Sequence, residues 1–246
     1  MTYTLKYINS ATDVYTKSGL TASEVDLTSN DYQLIQEAEN EVELLTGRKF
    51  TNGNTCTDFL DGPQKDIIGY AGTNATSINI SRYPIQSITT FSKLNTDGTT
   101  AKAYDTLTSV QVAAGTFDND DYWLETMTDP LTGSIVPYGV LRLKTDSFTP
   151  GHNNYKVAYT YGYTSVPAPV KALAVCLAAI KQWVAFLGGY YNRLDSYSIP
   201  QQSVNKGDFF SRGDKMIALL KEESEMWLDR IGRRPRILMF SSGETR

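Results

Sequence analysis

The stretch from Tyr155 to Gly189 puts a strand, a tight break and a long apolar helix in immediate succession, and any fold must house all three. Tyr155-Lys156-Val157-Ala158-Tyr159-Thr160-Tyr161 alternates aromatic or β-branched residues with others, the period-2 pattern of a half-buried strand. Gly162 to Pro169 breaks that pattern, since glycine tolerates unusual dihedrals and Pro167 and Pro169 cannot continue a ladder. A proline suits the first helical turn, where its missing N–H would have no partner anyway. From Val170 the pattern predicts a helix that stops at Gly188-Gly189. Val170, Leu173, Leu177, Ile180, Val184 and Leu187 recur at spacings of three and four and form one stripe. Ala172, Ala174, Val175, Ala178, Ala179, Trp183 and Phe186 cover most of the remaining surface, with Lys171, Lys181 and Gln182 as interruptions. A helix apolar nearly all round is buried on more than one side. One side is expected against the chain's own sheet, the other against further helices or a neighbouring copy.

At 246 residues the chain has room for one large domain or a domain with a substantial insertion. Its 41% apolar content supplies an ordinary core. A net charge of −4 argues against a protein that coats nucleic acid through its overall field. Cys56 and Cys176 lie on different predicted elements, so free thiols are expected rather than a disulfide. Met1 to Leu20 is polar and carries no apolar core of a signal peptide. The lysines and glutamine of the central helix interrupt the apolar run that a membrane span needs. Assembly in the cytosol, away from membranes, is the expectation.

Along the chain, Met1 to Ser18 reads as an extended arm or short strand around Tyr3–Tyr7, and Gly19 to Leu27 as room for a helical turn. The first helix is predicted from Asn30, a natural N-cap, to Gly47, with Ile35, Ala38, Val42 and Leu45 inward. Glu37, Glu39, Glu41 and Glu43 are read as its solvated face rather than as an acid–base site. Strands are predicted at Thr55–Leu60, Ser77–Arg82, Ile85–Leu94, Ser109–Ala113, Tyr122–Glu125, Val140–Lys144 and Tyr155–Tyr161. Turn residues separate them, and their density implies an antiparallel barrel or sandwich. A polar, aromatic loop is expected over Tyr190–Gly207, then a third helix from Asp214 to Ile231 with Met216, Ile217, Leu220, Trp227, Leu228 and Ile231 on one face. The following Arg233-Arg234-Pro235-Arg236-Ile237-Leu238-Met239-Phe240 passes from basic to apolar and is expected to dock on something.

Sites for chemistry are sparse. The one histidine, His152, has no second imidazole for a relay and no Cys/His cluster for a metal. Asp118-Asn119-Asp120-Asp121 has the oxygen density of a calcium loop without its turn glycine or closing glutamate, and reads as an acidic loop. Arg212-Gly213-Asp214 is read as a helix cap. Sixteen tyrosines and three tryptophans raise the question of a sugar-stacking groove, although packing accounts for those in the Tyr155–Tyr163 strand. The residues point to no catalytic, cofactor or metal site.

Several short motifs recur in a recognisable order: Thr46-Gly47-Arg48-Lys49-Phe50, then Arg82-Tyr83-Pro84-Ile85-Gln86-Ser87-Ile88, then Gly139-Val140-Leu141-Arg142-Leu143, then Val157 to Tyr163 and Val166-Pro167 before the Ala/Leu-rich helix. This succession, over Asn30 to Gly189, resembles the head–tail connector (adaptor) proteins of long-tailed double-stranded DNA phages. The resemblance implies an α+β chain: a small helical bundle from residues 1–50 and 166–246, with an antiparallel β-rich segment, barrel or sandwich-like, inserted at 51–165. It implies a structural neck protein of the virion with no catalysis and no cofactor. Copies would form a ring, twelve-fold in that family, beneath the portal protein, and extend the channel through which double-stranded DNA passes without sequence-specific binding. The far side of the ring would meet the tail, a tail-terminator or a stopper protein. A helix sticky on two faces suits such a ring, where Val175, Ala179, Trp183 and Phe186 are the expected contacts between copies. Trp227, Ile231, Arg233, Arg234, Arg236, Leu238 and Phe240 are the expected contacts with the portal. The competing expectations are a tail-completion or baseplate protein, and a carbohydrate-binding β module.

Overall fold

The computed structural model describes residues 4–20, 30–62, 77–145, 147–194 and 206–232. In chain order its elements are α1 (Ala11–Ser18), α2 (Asn30–Thr46), β1 (Asn54–Gly62), β2 (Ser77–Asn79), β3 (Ile85–Leu94), β4 (Thr100–Tyr104), α3 (Ser109–Ala113), β5 (Tyr122–Thr128), β6 (Ile135–Leu143), β7 (Gly151–Tyr161), α4 (Ala168–Leu194) and α5 (Lys206–Ile231). The architecture is α+β. One compact unit combines Met1–Arg48 with Pro167–Arg246, and the other is Lys49–Val166.

In the helical unit α4 is the hub, and α1, α2 and α5 pack on it. Val170, Leu173 and Leu177 of the predicted stripe are buried, but Val184 is exposed. Towards its C-terminal half the buried side passes instead through Ala178, Ala179, Gln182 and Trp183, because three helices have to be satisfied rather than one sheet. The helix does not stop at Gly188-Gly189 but continues to Leu194, and α5 begins at Lys206 rather than Asp214, so the predicted polar loop is largely helical among the described residues. A glycine inside a helix costs only about 1 kcal/mol relative to alanine, and packing of long helices outweighs that. Gly213 lies inside α5 and is not a cap: a Cβ built there would stand 3.1 Å from both Leu187 methyls and 3.4 Å from the Trp183 ring. Its bare backbone lets α5 approach α4 closely. The segment Ala168–Gly188 has the length and hydropathy to cross a membrane, contrary to the expectation from its lysines, and half of that window is buried inside the fold.

The first helix ends as read, with Gly47 at φ 67° and its N–H donating to the Glu43 carbonyl at 2.8 Å. The N-terminal arm is no strand: its described residues bend before α1, which Gly19 closes at φ 68°. The arm is held by Glu39, which is buried rather than solvated. Its carboxylate accepts the backbone N–H groups of Lys6 (2.9 Å), Tyr7 (2.7 Å) and Ile8 (2.9 Å). Three successive amides make a nest for a negative charge, and a helix side chain fills it.

Among its described residues the second unit is built from two antiparallel sheets, ordered β1-β7-β3-β4 and β2-β6-β5, with no closed barrel, as in the sandwich-like alternative. Along β7, Tyr155, Val157, Tyr159 and Tyr161 are buried and the residues between them are not. Phe91 of β3 stacks on Tyr104 of β4 at 4.2 Å and meets Tyr122 of β5 edge-on at 5.4 Å, which ties the two sheets into one core. Two sequence readings fail here. Ser109–Ala113 is a helical turn, because Thr108 and Gln111 form a reciprocal capping box that satisfies its first amides. The edge strand β4 was not foreseen, since four of its five residues are exposed and only its ladder to β3 makes it a strand.

Candidate functional site

Three features stand out. The first is a polar cluster on the helical unit. Glu223 of α5 accepts from the Lys17 ammonium of α1 at 2.6 Å and from the Trp227 indole N–H at 3.3 Å. The Lys17 hydrogen bond holds its carboxyl below the usual carboxylate range. Burial, reinforced by Glu223, pushes the thiol of Cys176 up to about 12, so it stays protonated and unreactive. Both cysteines are free. Beside this cluster runs a groove of about 620 Å³ lined by Lys17, Met216, Leu219, Leu220, Glu222, Glu223 and Met226. Leu219 is 60% exposed and Met226 55%, unusual for large apolar side chains seven residues apart on one helix face.

The second feature is a cleft of about 880 Å³ in the β-rich unit. Strand β3 contributes Ile85 and Ser87, α3 contributes Val110, and β6 contributes Ile135 and Pro137. Among the described residues no charged side chain lines it. Its two rings, Phe117 and Tyr163, are partly or wholly buried, and Tyr163 stacks on Phe50 at 6.0 Å. The tyrosines of β7 are likewise buried in the core.

The third feature brings Cys56 and Asp58 of β1, Ser81 and Tyr159 of β7 together. Asp58 accepts from the Tyr159 hydroxyl (2.9 Å), the Ser81 N–H (2.8 Å), the Ser81 hydroxyl (3.0 Å) and the Cys56 thiol (3.3 Å). Burial alone would raise its pKa, but these donors outweigh burial and leave it below the usual 3.8. Tyr159 is pushed up, chiefly by burial. A carboxylate that stays ionised and a phenol that stays protonated serve as a clamp between β1, β7 and the Ser81 corner. Because the folded pKa lies below the unfolded one, the clamp's stabilisation is present above about pH 4 and is lost as pH falls through the folded value. Asp58→Asn is therefore expected to lower the Tm at neutral pH, with the gap to the wild type closing below pH 3.8; a gap that stays constant in melts across pH 2.5–7 would rule the clamp out.

The sequence-predicted sites are placed as follows. Ala179 and Trp183 are buried within the helical unit itself, and the Trp183 indole donates to the Ser18 carbonyl at 3.0 Å. Val175 and Phe186 are half-buried, with Phe186 edge-on to Trp183. Trp227 is half-buried and Ile231 buried, whereas Arg233, Arg234, Arg236, Leu238 and Phe240 lie outside the described residues. His152 is exposed on β7 and pairs with Asp61 at 2.8 Å. In the acidic loop Asn119 caps the Asp121 and Tyr122 amides and Asp118 pairs with Lys144. Among the described residues no three His, Cys, Asp or Glu side chains converge. Leu219 and Met226 were not singled out from the sequence, although their seven-residue spacing, with Glu223 between them and Met216 three residues before, was visible there. Comparison with protein-family models and with curated proteins returned no match.

Proposed function

We propose that this chain is a head–tail adaptor of a long-tailed double-stranded DNA phage: one copy of a ring, twelve-fold as in the family it resembles, seated beneath the portal and joining capsid to tail. The observation that carries the reading is where the recurring motifs fall. Thr46-Gly47-Arg48-Lys49-Phe50 spans the passage from helical unit to β-rich unit, and Tyr161-Gly162-Tyr163 with Val166-Pro167 spans the return. Gly47 supplies the left-handed residue that ends α2, and Phe50 stacks on Tyr163 where the two passages run together. Gly162, at φ 118°, comes so close to the Thr51 carbonyl that a Cβ would stand 1.9 Å from its oxygen. The motifs thus encode the insertion of one unit into the other, which is the organisation the resemblance implies.

The role is structural. Exposed Val184, Leu219 and Met226 give the helical unit apolar surface for neighbours, and Val175 and Phe186 sit at its margin. Portal contact is assigned to the end of α5 with Trp227 and to residues 233–240. A mildly acidic chain suits a channel along which DNA slides rather than sticks. Mixed with its cognate portal, the chain is expected to form rings on the portal in negative-stain images and a matching mass in mass photometry. Persistent monomers that never bind portal would overturn the proposal. A tagged copy found at the baseplate instead of the neck would favour the tail-protein alternative.

A further inference from the structure

We infer that the uncharged cleft of the β-rich unit is a strand-binding slot: it takes one extended, uncharged stretch of a partner polypeptide, which adds its main chain to the edge of β6. The cleft meets its strands edge-on. Successive residues of a strand point to opposite faces, yet Ile135, Val136 and Pro137 of β6 all line it, as do Ile85, Gln86 and Ser87 of β3. A cleft that touches consecutive residues runs along the edge of a strand, where the backbone N–H and C=O groups are, and not over one face.

Among the described residues no strand covers either edge at that point. On β6, β5 takes one edge, and β2 takes the other only at Val140–Arg142, with the Ile80 N–H donating to the Gly139 carbonyl at 2.7 Å. On β3, β7 takes one edge. On the other, Leu107 exchanges two hydrogen bonds with Ile88, at 2.8 and 3.0 Å, and β4 takes Phe91–Leu94, so Ile85–Ser87 lies beyond both. The β5–β6 hairpin fixes which β6 groups look outward. The Asp129 N–H donates to the Ser134 carbonyl at 2.8 Å, so Ser134 and, two residues on, Val136 face β5, while Ile135 and Pro137 face the other edge. Pro137 stands where its missing N–H loses no ladder bond. That edge therefore presents the Ile135 N–H and the carbonyls of Ile135 and Pro137 to an incoming strand.

The rest of the lining selects the occupant. Val110 (78% exposed), Ile135 (67% exposed) and the hydroxyls of Ser87, Ser109 and Thr160 favour an uncharged segment, since a charge carried into the cleft would lose water and gain no counter-ion. With β3 on one side and β6 on the other, the slot admits a single strand. The sheet of a second copy would bring further strands with it and does not enter.

The test uses the full chain without portal, so its outcome does not turn on the adaptor reading. The probe is an mRNA-displayed library of random decapeptides. The expected binders are uncharged, with β-branched or aromatic residues at alternate positions. A synthetic copy of one binder should slow hydrogen exchange of the Ile135 amide at least tenfold, and N-methylation of its backbone at alternate residues should weaken binding at least tenfold. Val110→Lys, at an exposed position, and Ile135→Pro, which removes the donor, should each weaken it to the same degree; if the proline unfolds the hairpin, Val110→Lys decides alone. A library without binders, charged binders, affinity indifferent to Val110→Lys, or slowed exchange that leaves Ile135 untouched would each overturn the proposal. So would protection of Ile135 that rises with chain concentration in the absence of peptide, because it would put a second copy at that edge.

Discussion

Glu39→Leu is expected to destabilise the helical unit by roughly 3–5 kcal/mol, the sum of several charge-assisted hydrogen bonds lost while their donors stay buried. Leucine matches the volume and keeps the helix propensity, so the loss isolates the carboxylate. What it abandons are the N–H groups of Lys6, Tyr7 and Ile8, of which the latter two are buried bonds. The neighbouring Lys6–Glu43 pair and the Tyr7 hydroxyl bond to Glu43 remain, but both hold side chains and cannot satisfy the amides. Glu39→Gln keeps one acceptor oxygen and should cost roughly 1–2 kcal/mol. Urea unfolding gives the difference from the midpoint shift, and hydrogen exchange should show amides 6–8 losing protection first. A leucine variant within about 1 kcal/mol of wild type would mean that the nest contributes nothing.

Trp183→Ala should cost a comparable amount, about 3–5 kcal/mol, through the cavity left by a buried indole. The effect has a second part, because the indole N–H donates to the Ser18 carbonyl at the end of α1 and so ties α1 to α4. Trp183→Phe keeps most of the ring, drops that bond, and is expected to lose roughly 1–2 kcal/mol. Since the burial is within one chain, the fall in Tm should be the same at low and high protein concentration. If instead the alanine variant melts like wild type when dilute and differs only when concentrated, Trp183 belongs to a contact between copies. This experiment decides between the two roles that the sequence allowed for the residue.

Much of the helical unit was legible because its signals are local and redundant. The apolar run of α4, the stripe of α2 and the left-handed Gly47 each appear within one or two turns of sequence. Glu39 was legible too, had its register been followed: it lies four residues after Ile35 and three before Val42, on the buried stripe. A carboxylate there signals a buried acceptor, not a solvated face. The capping box at Thr108 and Gln111 was a second signal in plain view. By contrast, α1 offers eight residues with Val14 as its one buried large apolar side chain, and β4 is nearly all exposed.

Which segments are apolar, where helix and strand periods alternate and where glycine must stand can all be read from neighbouring residues, because periodicity and backbone freedom are local properties. Packing of distant segments is what turns Trp183 inward to α1, brings Glu39 to the arm, lets α5 close on α4 at Gly213, and leaves Leu219 and Met226 outside. Those encounters join residues from 26 to 165 positions apart, and short-range pattern carries no record of them.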